Sequence, residues 1–163
     1  MSEFEIPETW INIERDGVQL TIPPDWEMVE DAAVIIAAAG PREDEEMFRP
    51  NINVVVGGQP GADGVLEDLV ADEFGALANV LIELQAIDTE MFTLNDREWA
   101  RTLLAYRGAT HPLTLEQRTT LTSAGSTVVS ATVDTNDWAA LEQLVTAILD
   151  SVTFVDEETA PDE

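Results

Sequence analysis

Apolar positions in this chain change their spacing several times, and each change marks an element. Ile11 and Ile13 alternate with polar neighbours up to Asp16-Gly17, and Val18, Leu20 and Ile22 alternate beyond it. This predicts a β-hairpin over 10–22 around a strong turn dipeptide. Pro23-Pro24-Asp25 stops the second strand and leaves Trp26 to cap the open end of a core. A third short strand is predicted over Val34–Ala38, closed by Gly40-Pro41, with Arg42–Glu46 a solvated loop. In Phe48–Val56, Ile52, Val54 and Val56 alternate with Asn53 and Val55. Pro50 stands at the entry, where its missing N–H costs the ladder nothing. A strand this apolar on both sides belongs inside a covered sheet.

From Gly64 to Gln85 the spacing becomes three and four: Leu66, Leu69, Val70, Phe74, Leu77, Leu81 and Leu84. That stripe predicts a long helix lying on the sheet, with Asp63 as its N-cap and Glu67, Asp68, Asp72 and Glu83 turned away. Gly57-Gly58-Gln59-Pro60-Gly61 is the turn that leads into it. A meander follows over Glu90–Leu94, Arg97–Tyr106, Thr114–Thr122 and Ser126–Asp134, with Leu115, Leu121, Val129 and Val133 facing inward. A second helix is predicted over Asp137–Ser151, with Thr135-Asn136-Asp137 offering the cap and Trp138, Leu141, Leu144, Val145, Ile148 and Val152 as its stripe. The order of elements is that of an antiparallel-dominated α+β fold. One domain is expected over 1–155, with 156–163 a disordered acidic tail.

Composition narrows the function more than the fold. At 163 residues and 45% hydrophobic, the chain holds one real core. It has no cysteine, so neither disulfides nor thiolate metal sites arise. No apolar run reaches the roughly 20 residues that span a bilayer. Met1-Ser2-Glu3-Phe4-Glu5 lacks the basic and apolar regions of a secretory signal, so a cytoplasmic protein is expected, or a secreted one if a leader has been removed. The net charge is −26, from 33 carboxylates against seven arginines and no lysine. Such a surface repels nucleic acid and anionic lipid and suits a basic partner. The same composition points to a high-GC bacterium or a salt-loving organism.

Three stretches carry a resemblance. They are Ile22-Pro23-Pro24-Asp25-Trp26, the run Phe48-Arg49-Pro50-Asn51-Ile52-Asn53-Val54-Val55-Val56 ahead of the long helix, and Ile148-Leu149-Asp150-Ser151-Val152-Thr153-Phe154. With them the chain resembles the Mog1/PsbP-like superfamily, and within it the actinobacterial LpqN-type branch, over roughly 10–155. The resemblance implies an α/β/α sandwich: a central antiparallel sheet flanked by two main helices. Members are mostly non-enzymatic: a partner of a nuclear transport GTPase, an accessory subunit of photosystem II, secretion chaperones and mycobacterial lipoproteins. LpqN-type lipoproteins carry a signal peptide and a lipid-modified cysteine; neither is read in these 163 residues, so a membrane-anchored role is not expected. The superfamily shares no site, so no residue role is carried over.

Candidate chemistry is sparse. His111 stands before Pro112 in a predicted hairpin loop and reads as an exposed turn residue, with a pH-sensitive contact as the alternative. Glu43-Asp44-Glu45-Glu46 and Asp156-Glu157-Glu158 lack the alternating spacing and internal glycine of a calcium loop and read as solvated charge. The glycine-rich turn lacks the Lys-Ser/Thr of a phosphate loop. Arg97, Arg101 and Arg107 share one parity on a predicted strand, with Trp99 between the first two. Together they form a candidate partner-binding row, set against internal pairing with the protein's own carboxylates. No catalytic residue, metal ligand or cofactor is expected. The reading is a non-catalytic adaptor or secretion-associated chaperone, with a small-molecule carrier, its pocket between helix and sheet, as the alternative. The partner is another protein, basic or part of a secretion system, or a second copy of the chain; neither nucleic acid nor a membrane is expected.

Overall fold

The computed structural model describes residues 5–31, 33–41, 44, 46–57, 66–122 and 125–155. Five expectations lie wholly or partly outside them: the turn at 57–61, the Asp63 cap, the start of the long helix at 64–65, part of the acidic loop, and the tail at 156–163. Every pairing is antiparallel. The hairpin β1 (Ile11–Arg15) and β2 (Val18–Ile22) is joined by β10 (Thr153–Phe154) into a three-stranded sheet. Asp16 and Gly17, both at positive φ (53° and 85°), make its turn. A seven-stranded sheet runs in the order β3-β4-β5-β9-β8-β7-β6. Its strands are β3 (Glu27–Met28), β4 (Ile36–Ala39), β5 (Asn51–Val56), β6 (Ile82–Leu94), β7 (Arg97–Arg107), β8 (Pro112–Thr122) and β9 (Gly125–Asp134). The run Asn51–Val56 is an interior strand, as its composition requires.

The core lies on one face of the large sheet. Ile36, Ile52, Val54, Val129, Ala131 and Val133 meet Leu20 and Ile22 of the hairpin and Val145, Ile148 and Leu149 of α2 (Trp138–Asp150). Each of the Val, Leu and Ile side chains among these contributes about 1.5–3 kcal/mol on leaving water. Leu115 is also buried, but it stands opposite Thr132 and so leaves the other face from Val129 and Val133. Leu121 is only half-buried. Adjacent residues of β8 reach the two helices: Arg118 Nη1 donates to Asp150 of α2 at 2.6 Å, and Thr119 Oγ1 donates to Glu73 of α1 (Leu66–Ala78) at 2.9 Å. Successive strand residues point to opposite sides, so α1 and α2 touch β8 from opposite faces.

The main departure from the sequence reading is at the end of α1. The helix stops at Ala78 rather than Gln85, and Leu81 and Leu84 belong to the turn and to β6. Val80 and Leu81 both donate to Leu77 O, which tightens the last turn, and Glu83 then takes a positive φ of 57°. From there β-branched Ile82 and Ile87 sit on an edge strand paired to β7, which begins eight residues before the predicted Glu90. Of the α1 stripe only Leu66 is buried; Leu69, Val70, Phe74 and Leu77 are half-buried. The third strand begins at Ile36 instead of Val34. The two-residue strands β3 and β10 lie where no element is predicted, and Val152 packs into the core beyond the helix. The cap before α2 also differs. Asp134 Oδ1 accepts from Asn136 N at 2.8 Å, whereas the Asp137 side chain makes no cap bond.

Candidate functional site

The arginine row keeps its parity but faces inward. Arg97, Trp99 and Arg101 leave the face of β7 that carries the core. Trp99 is 3% exposed and stacks on Phe154, ring centroids 6.1 Å apart. The Arg97 guanidinium sits 4.5 Å over the same ring and donates to Leu121 O at 2.9 Å. Burial pushes it below arginine's ordinary range. Arg101 Nε donates to Glu116 Oε2 at 2.9 Å, with Nη1 3.6 Å from Asp88. Arg107 lies apart at the exposed strand end, 3.8 Å from Glu83.

The residue that organises this region is Arg118, which the row did not include. It stands directly across from Arg101, so two guanidiniums share one spot on the sheet. Glu116 Oε2 answers both, accepting from each Nε at 2.9 Å. Arg118 also reaches Asp150 and lies 5.2 Å over the Phe92 ring. Glu116 Oε1 is buried and takes no hydrogen bond from the described residues. The i, i+2 pairing of Glu116 and Arg118 on one strand face was the available sequence signal. The recess beside them, about 830 Å³, has Glu90, Glu142 and Asp150 around guanidiniums already paired within the chain.

A second recess is built differently. It is a cleft of about 530 Å³ between the first turns of α2 and two loops, those following β2 and β4. Pro23-Pro24-Asp25 reverses the chain after β2, with Trp26 N bonded to Pro23 O at 3.1 Å, and drives the indole into the core. The ring passes so close to Gly40 that a Cβ there would stand 2.7 Å from it. Trp26 thus forms part of the cleft lining, together with Met47, Phe48, Leu141 and Leu144. The last two are half-buried at i, i+3 on α2 and face the loops. Asp25 and Asp137 add two carboxylates to an otherwise apolar lining.

His111 is not the free turn residue its setting suggested. Its Nδ1 lies 2.9 Å from Asp134 Oδ2, its Nε2 lies 2.8 Å from Glu46 O, and its ring is 6.4 Å from that of Phe48. The β7–β8 loop is therefore tied to the segment that supplies Met47 and Phe48 to the cleft.

The fold recurs in solved structures. The chain matches cyanobacterial PsbP from Synechocystis at a TM-score of 0.69 and 11% identity, over 94% of this chain and 96% of that one. It matches LpqN of Mycobacterium tuberculosis, a protein involved in cell envelope biogenesis, at 0.64 and 17%, over 90% of each. This is the Mog1/PsbP-like fold. A Pseudomonas aeruginosa protein of unknown function has it too, at 0.64 and 11% identity over 88% of this chain and 96% of that one. At such identities the likeness is one of fold. No protein-family model and no curated protein matches the chain. Among the described residues, no helix is long and apolar enough to cross a membrane.

Proposed function

We propose that this protein is a non-catalytic adaptor that receives an apolar segment of a basic partner protein in the Trp26 cleft. One observation carries the reading: a concave apolar lining of Trp, Phe, Met and Leu side chains with two carboxylates among them. Large apolar side chains in such a recess supply affinity, and a few fixed charges select orientation and partner. With a net charge of −26, the chain favours a basic ligand. The likeness to LpqN makes cell-envelope components the partners to test first. On this reading the large sheet is the middle layer of an α/β/α sandwich, and the cleft opens on its α2 side. A photo-crosslinking residue at Met47 in host cells should trap one basic protein. Leu141→Glu should abolish the product, and the same residue at the exposed Thr89 of β6 should give none. Equal products from Met47 and Thr89, or a product that survives Leu141→Glu, would refute the site.

The cleft volume supports a second reading, that of a small-molecule carrier. About 530 Å³ lies within the range of roughly 300–1,000 Å³ that ligand pockets occupy. Neutral apolar compounds that raise the melting midpoint in proportion to log concentration, with no crosslinked protein, would favour it.

A further inference from the structure

The two walls of the cleft are joined through one side chain. Asp134 ends β9 and starts the α2 wall, since its Oδ1 caps the turn Thr135–Asp137 through Asn136 N. Its Oδ2 meets His111 Nδ1 at 2.9 Å, and His111 Nε2 meets Glu46 O at 2.8 Å, one residue before Met47 of the loop wall. Both partners of the imidazole are acceptors, a carboxylate oxygen and a backbone carbonyl oxygen. A neutral imidazole has one N–H and satisfies one of them; the imidazolium has two and satisfies both.

We propose that His111 is a protonation-dependent clasp that fastens the Met47-Phe48 wall to the α2 wall and so holds the cleft in its binding shape. The inference rests on the cleft being the binding site. Three groups of charges bear on the ring. Asp134 faces it from β9. The exposed Asp44 and Glu46 side chains add negative charge from the loop. Arg107, on its own hairpin, is turned toward Glu83. With both bonds made, the cleft stands open at about 530 Å³, so the clasped form is the one that admits a ligand. Rising pH removes one donor, frees the Glu46 carbonyl or the Asp134 carboxylate, and lets the loop wall move. Ligand affinity should therefore be full while the imidazole is protonated and decline once it is neutral.

The test uses the full chain with N-phenyl-1-naphthylamine, a small neutral apolar fluorophore, and a methyl-labelled methionine sample. Probe affinity should fall about tenfold from pH 5 to pH 8, the scale of one charge-assisted hydrogen bond. In His111→Gln the change should stay below about twofold, because glutamine keeps a neutral side chain throughout. The Met47 methyl resonance should follow the imidazole titration in the parent chain and stay flat in the variant. A Met47 methyl that ignores the imidazole titration overturns the clasp, whether or not the probe binds. Probe binding that is equally pH-dependent in His111→Gln overturns it as well. A Met47 methyl that tracks the imidazole while the probe binds at no pH leaves the clasp standing and counts against the cleft as a binding site.

Discussion

Arg118→Ala should be among the most damaging single substitutions on the sheet, although arginine is a surface residue in most proteins. The side chain is 5% exposed, and Glu116 beside it is 1% exposed. Removing the guanidinium takes away the 2.9 Å bond to Glu116, the 2.6 Å bond to Asp150 and the packing against Phe92. Breaking one side of a buried pair costs about 3–5 kcal/mol, since it leaves a desolvated charge behind. Here Arg101 still donates to Glu116, so the lower end of that range, about 3 kcal/mol, is expected. For a domain of this size that corresponds to a fall in melting midpoint of about 6–12 °C. Arg107→Ala, which breaks only a 3.8 Å pair between groups more than half exposed, should stay within about half a kcal/mol. Urea titrations of both variants measure the contrast. A cycle with Asp150→Asn then isolates the Arg118–Asp150 coupling. A loss under about 1 kcal/mol for Arg118→Ala, or equal losses for the two arginines, would mean that the network is dispensable.

Leu77→Ala should cost about 1–2 kcal/mol, because the half-buried site gives up only part of a leucine's transfer energy, while Ile148→Ala should cost about 2–5 kcal/mol. Glu67→Ala, exposed on α1, should stay within about half a kcal/mol; denaturant midpoints rank the three. Glu73 is held above the ordinary carboxylate range by burial first, with Asp72 adding to the rise and the Thr119 bond opposing it. The folded state therefore favours the protonated form, and the contribution of Glu73 to stability falls as pH rises through the carboxylate range. Glu73→Gln, which keeps an acceptor for Thr119, should stabilise by about 1 kcal/mol or less at pH 8 and by less at pH 5; an equal gain at both pH values would refute the assignment. The melting midpoint should rise as sodium chloride goes from low to moderate concentration, because ions screen like charges over about 10 Å at 0.1 M. A flat or falling midpoint would show that the carboxylates are paired well enough to be harmless.

The strands were legible wherever local chemistry agreed with pairing. Asp16-Gly17 marks the first hairpin, and Asn95 and Asp96, both at positive φ, mark the turn between β6 and β7. The α1–β6 junction was not legible, because Leu77, Leu81 and Leu84 continue the helical spacing while Val80 and Ile82 favour a strand. The decision comes from β7, which pairs with Ile82 through Arg107, a partner no local window contains. The strands β3 and β10 are two residues each and have no period to read. For the arginines, parity gave the shared face, but the covering of that face depends on where Phe154 and α2 land. The cleft draws on segments around Trp26, Phe48 and Leu141, and the His111–Glu46 bond spans 65 residues, so neither forms a motif.

The placement of the cations bears on how a partner would be chosen. Arg49, Arg101, Arg107 and Arg118 each meet at least one of the chain's own carboxylates: Glu27 for Arg49, Glu116 and Asp88 for Arg101, Glu83 for Arg107, and Glu116 and Asp150 for Arg118. Arg97 is spent on Phe154 and a backbone carbonyl. Positive charge is thus largely paired within the chain, and the excess of 33 carboxylates over seven arginines dominates the field around it. A surface of one sign steers cationic ligands and repels both anions and a second copy of itself. Steering alone has no address, since carboxylates are spread along the chain. The Trp26 cleft supplies one, because it couples a concave apolar lining to Asp25 and Asp137. The proposed division is therefore between a diffuse charge that governs encounter and a local apolar recess that governs residence, with His111 acting on the second alone.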